Sequence, residues 1–201
     1  MGSVTLEIDG KKVEVEEGTT ILKAAEKVGV RIPTLCYHKE LSPYGSCRIC
    51  LVEIAREAGG KTRCATSCTY PAEDGLIVNT NSERVIKSRR FIIALLLARA
   101  PESDVLRSLA LEYGVIGESP DKIAAHLFNR ASRGDPTNCI LCGLCVRVCS
   151  EIVGMSAISF AHRGTMRRVQ TPFDKISETC IGCGACAYLC PTGTIKIEEA
   201  Y

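Results

Sequence analysis

Thirteen cysteines stand among 201 residues, and two sets of four share one spacing that could do chemistry. Cys139, Cys142, Cys145 and Cys149 follow C-x2-C-x2-C-x3-C, and so do Cys180, Cys183, Cys186 and Cys190. A C-x2-C-x2-C loop can wrap three corners of an iron–sulfur cube with its backbone N–H groups turned toward the sulfides. The fourth thiolate then comes from elsewhere, and in paired runs of this kind it is the last cysteine of the other run. The spacing therefore predicts one [4Fe–4S] cluster on Cys139, Cys142, Cys145 and Cys190. A second is predicted on Cys180, Cys183, Cys186 and Cys149. Pro191 after Cys190 fits the bacterial form of the run, and Ser150 after Cys149 departs from it. Structural zinc would favour two separated C-x2-C pairs about one tetrahedral ion, not two dense triplets.

A second block reads Cys36-x10-Cys47-x2-Cys50, followed by Cys64 and Cys68. Four thiolates in a loop over a small sheet suit a [2Fe–2S] rhomb. Cys36, Cys47 and Cys50 follow from the pattern, and the fourth ligand is Cys64 or Cys68. Cys68 is preferred because it precedes Thr69-Tyr70-Pro71, which resembles the Cys-x-x-Pro context of the last ligand in plant-type ferredoxins. Cys64 is then a spare thiol. Twelve ligands imply about ten iron atoms per chain. Oxidised clusters of these types add about −2 each with their thiolates, which takes the formal charge of +2 to about −4.

The elements that must position these thiolates are legible around them. Val4 to Ile8 alternates at period two, Asp9-Gly10 is a hairpin turn, and Lys12 to Val15 alternates again. Gly18-Thr19-Thr20 caps a helix from about Ile21 to Val28, ended by Gly29. Further strands are expected at Leu51–Ile54 and Leu76–Val78, giving a small mixed sheet that grips one helix. Seventy cysteine-free residues, Thr69 to Asn138, separate the two blocks. They predict three helices: Ser82 to Arg99, Asp104 to Tyr113 capped by Ser103, and a third after Ser119-Pro120-Asp121 reaching about Asn129. Ser132 to Pro136 reads as a turn-rich linker. The two cysteine runs form an internal repeat, each followed by a β-like segment, Ala157–Phe160 and Thr194–Ile197.

Other polar residues read as ordinary. His38, His126 and His162 have no second ligand at metal spacing, and Lys87, Arg89, Arg90, Arg163, Arg167 and Arg168 are expected on solvated faces. Gly59-Gly60 is a turn, and neither G-x-G-x-x-G nor G-x-x-x-x-G-K-[ST] occurs, so nucleotide binding lacks its usual marks. A net charge of +2 carries no basic field for nucleic acid. The longest apolar run, Phe91 to Ala98, is far short of a membrane span. Met1 to Thr5 runs straight into a strand pattern without an apolar signal core, so the expectation is a cytoplasmic protein whose thiols stay reduced.

The order of a C-x10-C-x2-C domain, helices and a double C-x2-C-x2-C-x3-C module resembles the large iron–sulfur subunit at the peripheral end of respiratory complex I. It is equally similar to the small diaphorase subunit of NAD-reducing hydrogenases and to the N-terminal parts of NAD-linked formate dehydrogenases and iron-only hydrogenases. The segments carrying the likeness are Cys145 to Cys149 with Glu151-Ile152-Val153-Gly154 and Phe160 to Gly164, and Phe173-Asp174 with Cys180 to Gly184. The resemblance implies an α+β chain. Residues 1–81 would form a β-grasp [2Fe–2S] ferredoxin domain, 82–135 a helical connector, and 136–201 a bacterial-type double [4Fe–4S] ferredoxin domain. It implies an electron-transfer subunit in a hetero-oligomer, placed between a flavoprotein NAD(P)H-oxidising subunit and a catalytic redox subunit such as a hydrogenase, a formate dehydrogenase or a bifurcating complex. A free-standing ferredoxin carrier is the alternative. Such relatives commonly carry a further cubane on one histidine and three cysteines, but Leu95 to Leu111 contains neither residue type.

Overall fold

The computed structural model describes residues 2–115, 137–175 and 177–197. The third helix expected after Ser119 and the linker at 132–136 lie outside them, as does His126. The chain divides into two compact units, Met1–Leu35 with Pro43–Ile92, and Cys36–Ser42 with Ile93–Tyr201.

The first unit begins with β1 (Ser3–Ile8) and β2 (Lys11–Glu16), antiparallel in the register Ser3 to Glu16 through Ile8 to Lys11. Asp9 and Gly10 turn between them with φ of 48° and 80°, the doubly left-handed backbone of a tight primed hairpin. The Asp9 carboxylate accepts from both the backbone N–H and the hydroxyl of Thr80, which ties the turn to the far end of the domain. Alternation sends Leu6, Ile8, Val13 and Val15 into the core. Helix α1 (Ile21–Lys27) packs Ile21, Leu22, Ala24 and Ala25 inward, and the Thr20 hydroxyl accepts from Lys23 N–H at its start.

Strands β3 (Leu51–Ala55), β4 (Arg63–Thr66) and β5 (Ile77–Asn79) complete a five-stranded mixed sheet of order β2-β1-β5-β3-β4. Strand β5 runs parallel to β1 and antiparallel to β3. Strand β4, Arg-Cys-Ala-Thr, is not marked by any pattern in the sequence; it forms because Leu51 to Ile54 offers a pairing edge for four residues. The long helix α2 (Glu83–Arg99) follows, and α3 (Asp104–Glu112) opens on Ser103, whose hydroxyl accepts from Leu106 N–H.

In the second unit the two cysteine runs each enter a short helix, α4 (Leu144–Arg147) and α5 (Ala185–Tyr188). Their pseudo-equivalence reaches the backbone. Leu141 and Gly182 occupy the same place in the repeat and have φ of 55° and 66°, and Gly143 and Gly184 follow at 75° and 71°. The repeat diverges from the residue before its fourth cysteine. The first run continues as a π-helical turn over Val148–Ile152, whereas the second stops, because Pro191 has no N–H to extend a helix. Strand β6 (Ser159–Ala161) pairs antiparallel with β7 (Arg168–Gln170). The expectation of a matching strand at Thr194–Ile197 is therefore corrected: those residues are irregular, and the partner of β6 comes from the segment between the runs.

Candidate metal centre

In the first unit Cys47, Cys50 and Cys68 are all buried. The Cys50 and Cys68 sulfurs stand 3.3 Å apart. The turn after β4 makes that approach: Ser67 donates through both its backbone N–H and its hydroxyl to the Cys50 carbonyl, at 3.2 and 2.9 Å. Gly45 lies against this turn, where a Cβ would meet the Thr69 methyl at 3.1 Å while φ is 66°, so both space and backbone favour glycine. Cys64 sits within β4 opposite Glu53 and is half-buried. Arg89 corrects the expectation of a solvated face. It is 1% exposed, and its Nη2 donates to the Leu51 carbonyl, next to Cys50, at 2.6 Å. Lys87 is exposed as expected. Glu53 in the same sheet has its carboxyl lowered by hydroxyls of Thr62 and Ser82, against burial, with Arg84 adding to the shift.

The second unit holds eight cysteines around two cavities. One, of about 550 Å³, is lined by Cys139, Cys142, Cys145 and Cys190. The other, of about 240 Å³, is lined by Cys149, Cys180, Cys183 and Cys186. Each cavity thus draws three thiols from one run and the last thiol from the other. The last thiols are held alike: Ala157 N–H donates to the Cys149 sulfur and Thr194 N–H to the Cys190 sulfur, both at 3.3 Å. Arg99, on α2, donates from Nε to the Cys139 carbonyl at 2.8 Å.

The electrostatics are those of a site built for cations. Burial pushes the Cys142 thiol up to about 11, opposed by the Leu144 N–H and reinforced by Cys190, Cys139 and Cys36. Burial likewise takes Cys145 to about 12, with Cys142 and Cys139 adding to the rise. Cys186 is also raised, by burial first. At Cys190 burial raises the thiol, but the Ile195, Thr192 and Thr194 N–H groups and the Thr192 hydroxyl outweigh it and leave it lowered. Thiolates that repel one another where burial penalises their charge need positive charge between them, and iron supplies it. Four sulfurs spread around a cavity suit a cube, whose thiolates sit on separate irons. Among the described residues no three His, Cys, Asp or Glu side chains are grouped about a single ion.

The two cavities differ in exposure. Cys142 and Cys145 are buried, whereas Cys180 and Cys183 are exposed. Cys36 is buried and belongs to the short segment that clusters with the second unit. His38 is half-buried and its Nδ1 accepts from Glu40 N–H, and His162 is exposed. Arg163 and Arg168 are exposed, while Arg167 is half-buried over the Phe160 ring at 4.1 Å. Sequence reasoning also passed over Arg147, a buried arginine between two of the cysteines, whose partners are more than 100 residues away.

Residues 2–83 match the family described as 2Fe-2S iron-sulfur cluster binding domain, and residues 138–194 match the 4Fe-4S dicluster domain. The chain thus has one [2Fe–2S] domain and a domain for two [4Fe–4S] clusters, in an α+β fold. Among curated proteins it is 39% identical to the NADPH-Fe(3+) oxidoreductase subunit alpha of Geobacter sulfurreducens, over 96% of this chain and 24% of that one. It is 34% identical to the NADP-reducing hydrogenase subunit HndD of Solidesulfovibrio fructosivorans, over 100% of this chain and 37% of that one. The chain therefore spans about a quarter to somewhat more than a third of the length of these relatives. Among solved structures it is similar to a chain of an NAD+-reducing [NiFe]-hydrogenase in the H2-reduced state. The TM-score is 0.74 at 28% identity, covering 96% of this chain and 86% of that one.

Proposed function

We propose, for a chain that joins a 2Fe–2S cluster binding domain to a 4Fe–4S dicluster domain, the role of an electron-relay subunit in a hetero-oligomeric NAD(P)H-linked oxidoreductase. One partner is a flavoprotein that oxidises or reduces NAD(P)H, and the other is a catalytic redox subunit such as a hydrogenase. Likeness to subunits named for NADPH, NADP and NAD+ chemistry supports this reading. So does the absence, among the described residues, of a helix long and apolar enough to cross a membrane. The observation that carries it is the pair of cavities, each ringed by four cysteines drawn three-and-one from the two runs.

The ligand sets are Cys139, Cys142, Cys145 and Cys190 for one cubane, and Cys149, Cys180, Cys183 and Cys186 for the other. Cys36, Cys47, Cys50 and Cys68 hold the [2Fe–2S] cluster, and the complex is cytoplasmic. When bound, the clusters supply one-electron chemistry. The protein supplies thiolates, backbone donors at the sulfurs, and burial that sets potential. No side chain is required to act as acid, base or nucleophile.

Anaerobic native purification of the tagged chain tests the role. A flavoprotein and a catalytic chain retained through size exclusion are the expected result. A lone chain with about ten irons that reduces reversibly would overturn the fixed relay in favour of a diffusing carrier.

A further inference from the structure

The segment Cys36–Ser42 departs from its neighbours in sequence and clusters with the second unit. Two side chains one helical turn apart hold it there. Arg147, only 8% exposed, donates from Nη2 to the Cys36 carbonyl at 2.6 Å and from Nη1 to the Ser42 carbonyl. Glu151 accepts the Ser42 N–H on Oε2 at 2.8 Å. Both ends of the segment are therefore fixed by one guanidinium, and its last residue is gripped from the other side by a carboxylate. Arg147 also lies midway between Cys145 and Cys149, two residues from a lining cysteine of each cavity of the dicluster module.

A planar guanidinium suits this task because its donors form a rigid fork, which a lysine ammonium does not reproduce. Its charge is permanent, and burial leaves it little screened by water. A fixed positive charge near a redox centre stabilises the form with the extra electron.

We infer that Arg147 is a positioning residue for electron transfer, pinning the Cys36 end of the [2Fe–2S] ligand set to the helix that carries a ligand of each cubane and raising the [2Fe–2S] potential by its charge. This inference rests on the ligand sets proposed above. The transfer concerned moves one electron between clusters, with no bond made or broken and no proton required. The fork holds the Cys36–Ser42 segment to the helical run that bears Cys145 and Cys149, and the charge biases where the electron resides.

The test uses the full chain, anaerobically loaded, as wild type, Arg147→Met and Arg147→Lys, titrated with dithionite and followed by EPR. In Arg147→Met the [2Fe–2S] reduction equilibrium is expected to shift about tenfold toward the oxidised form, a midpoint about 59 mV lower. Arg147→Lys keeps the charge and is expected to stay within about threefold of wild type, roughly half that shift. It loses the fork, so the broadening of the [2Fe–2S] signal by a reduced cubane changes in both variants. An unchanged midpoint in a fully loaded Arg147→Met protein overturns the inference. If Arg147→Met fails to take up iron, Arg147→Lys decides: unchanged spin coupling overturns it, and altered coupling at a near-wild-type midpoint supports it. A wild-type chain without a [2Fe–2S] signal would instead sink the ligand assignment, which separates the two failures.

Discussion

The crossing of the two cysteine runs can be tested by removing thiols in pairs. In the structure Cys145 and Cys190 line one cavity, while Cys149 lines the other. On the proposed ligand sets, Cys145→Ala with Cys190→Ala takes two of four ligands from a single cubane. Iron should fall from about ten atoms to about six, with the second cubane's signal intact. Cys145→Ala with Cys149→Ala takes one ligand from each cubane, so both signals should be degraded even though the same number of thiols is lost. If each run instead bound its own cluster, the two results would exchange places. The assay is iron and sulfide content beside low-temperature EPR of the dithionite-reduced protein, in anaerobically purified chains. The [2Fe–2S] signal serves as the internal control for folding of the first domain. A Cys145/Cys190 variant that damages both cubanes, beside a Cys145/Cys149 variant that keeps one whole, would refute the crossed assignment.

Two further outcomes follow from the first unit. Cys68→Ser should abolish the [2Fe–2S] EPR signal while Cys64→Ser leaves it, because Cys68 lies 3.3 Å from Cys50 and Cys64 is built into β4; survival of the signal in Cys68→Ser would move the ligand to Cys64. Arg89→Met should lower unfolding stability by about 2 kcal/mol, read by denaturant titration of the loaded chain. It removes a charged donor from a carbonyl at 2.6 Å inside the protein, and a loss below about 0.5 kcal/mol would mean the aliphatic stem supplies most of its worth.

What the sequence made legible was local. Ligand intervals in an iron–sulfur loop are set by how a few residues wrap a cluster, so spacing alone led to the proposed exchange of last cysteines, and each cavity is lined by three cysteines of one run and the last of the other. The hairpin at Asp9-Gly10 and the cap at Thr20 are local in the same sense. What stayed hidden depends on distant partners. Strand β4 has no strong alternation, and it exists because β3 offers an edge. Thr194–Ile197 alternates as a strand should, yet β7 is the neighbour of β6, and no rule of periodicity ranks two competing partners. Arg89 and Arg147 look like any surface arginine in sequence. Their meaning comes from the Leu51 carbonyl, 38 residues away, and the Cys36 carbonyl, 111 residues away. The insertion of β5 between β1 and β3 is a further long-range fact that strand patterns could not order.

The stretch from Leu95 to Leu111 gives the Arg147 fork its weight. Its lack of cysteine and histidine leaves no place for the additional cubane that the family resemblance implies. Ala100, Leu106, Leu109 and Ala110 are instead buried there as ordinary apolar contacts. On the proposed route, then, an electron passes between the [2Fe–2S] cluster and the dicluster module without that station. Cys36 is one of the thiols that raise Cys142, so the proposed [2Fe–2S] ligand lies within electrostatic reach of a proposed cubane ligand. The segment Cys36–Ser42 is short, exposed at Lys39 and Glu40, and held at both ends by Arg147. A relay with fewer stations has fewer ways to tolerate a shift in any one distance. A buried arginine aimed at two carbonyls is therefore where lysine, though it keeps the charge, should still alter the coupling between clusters.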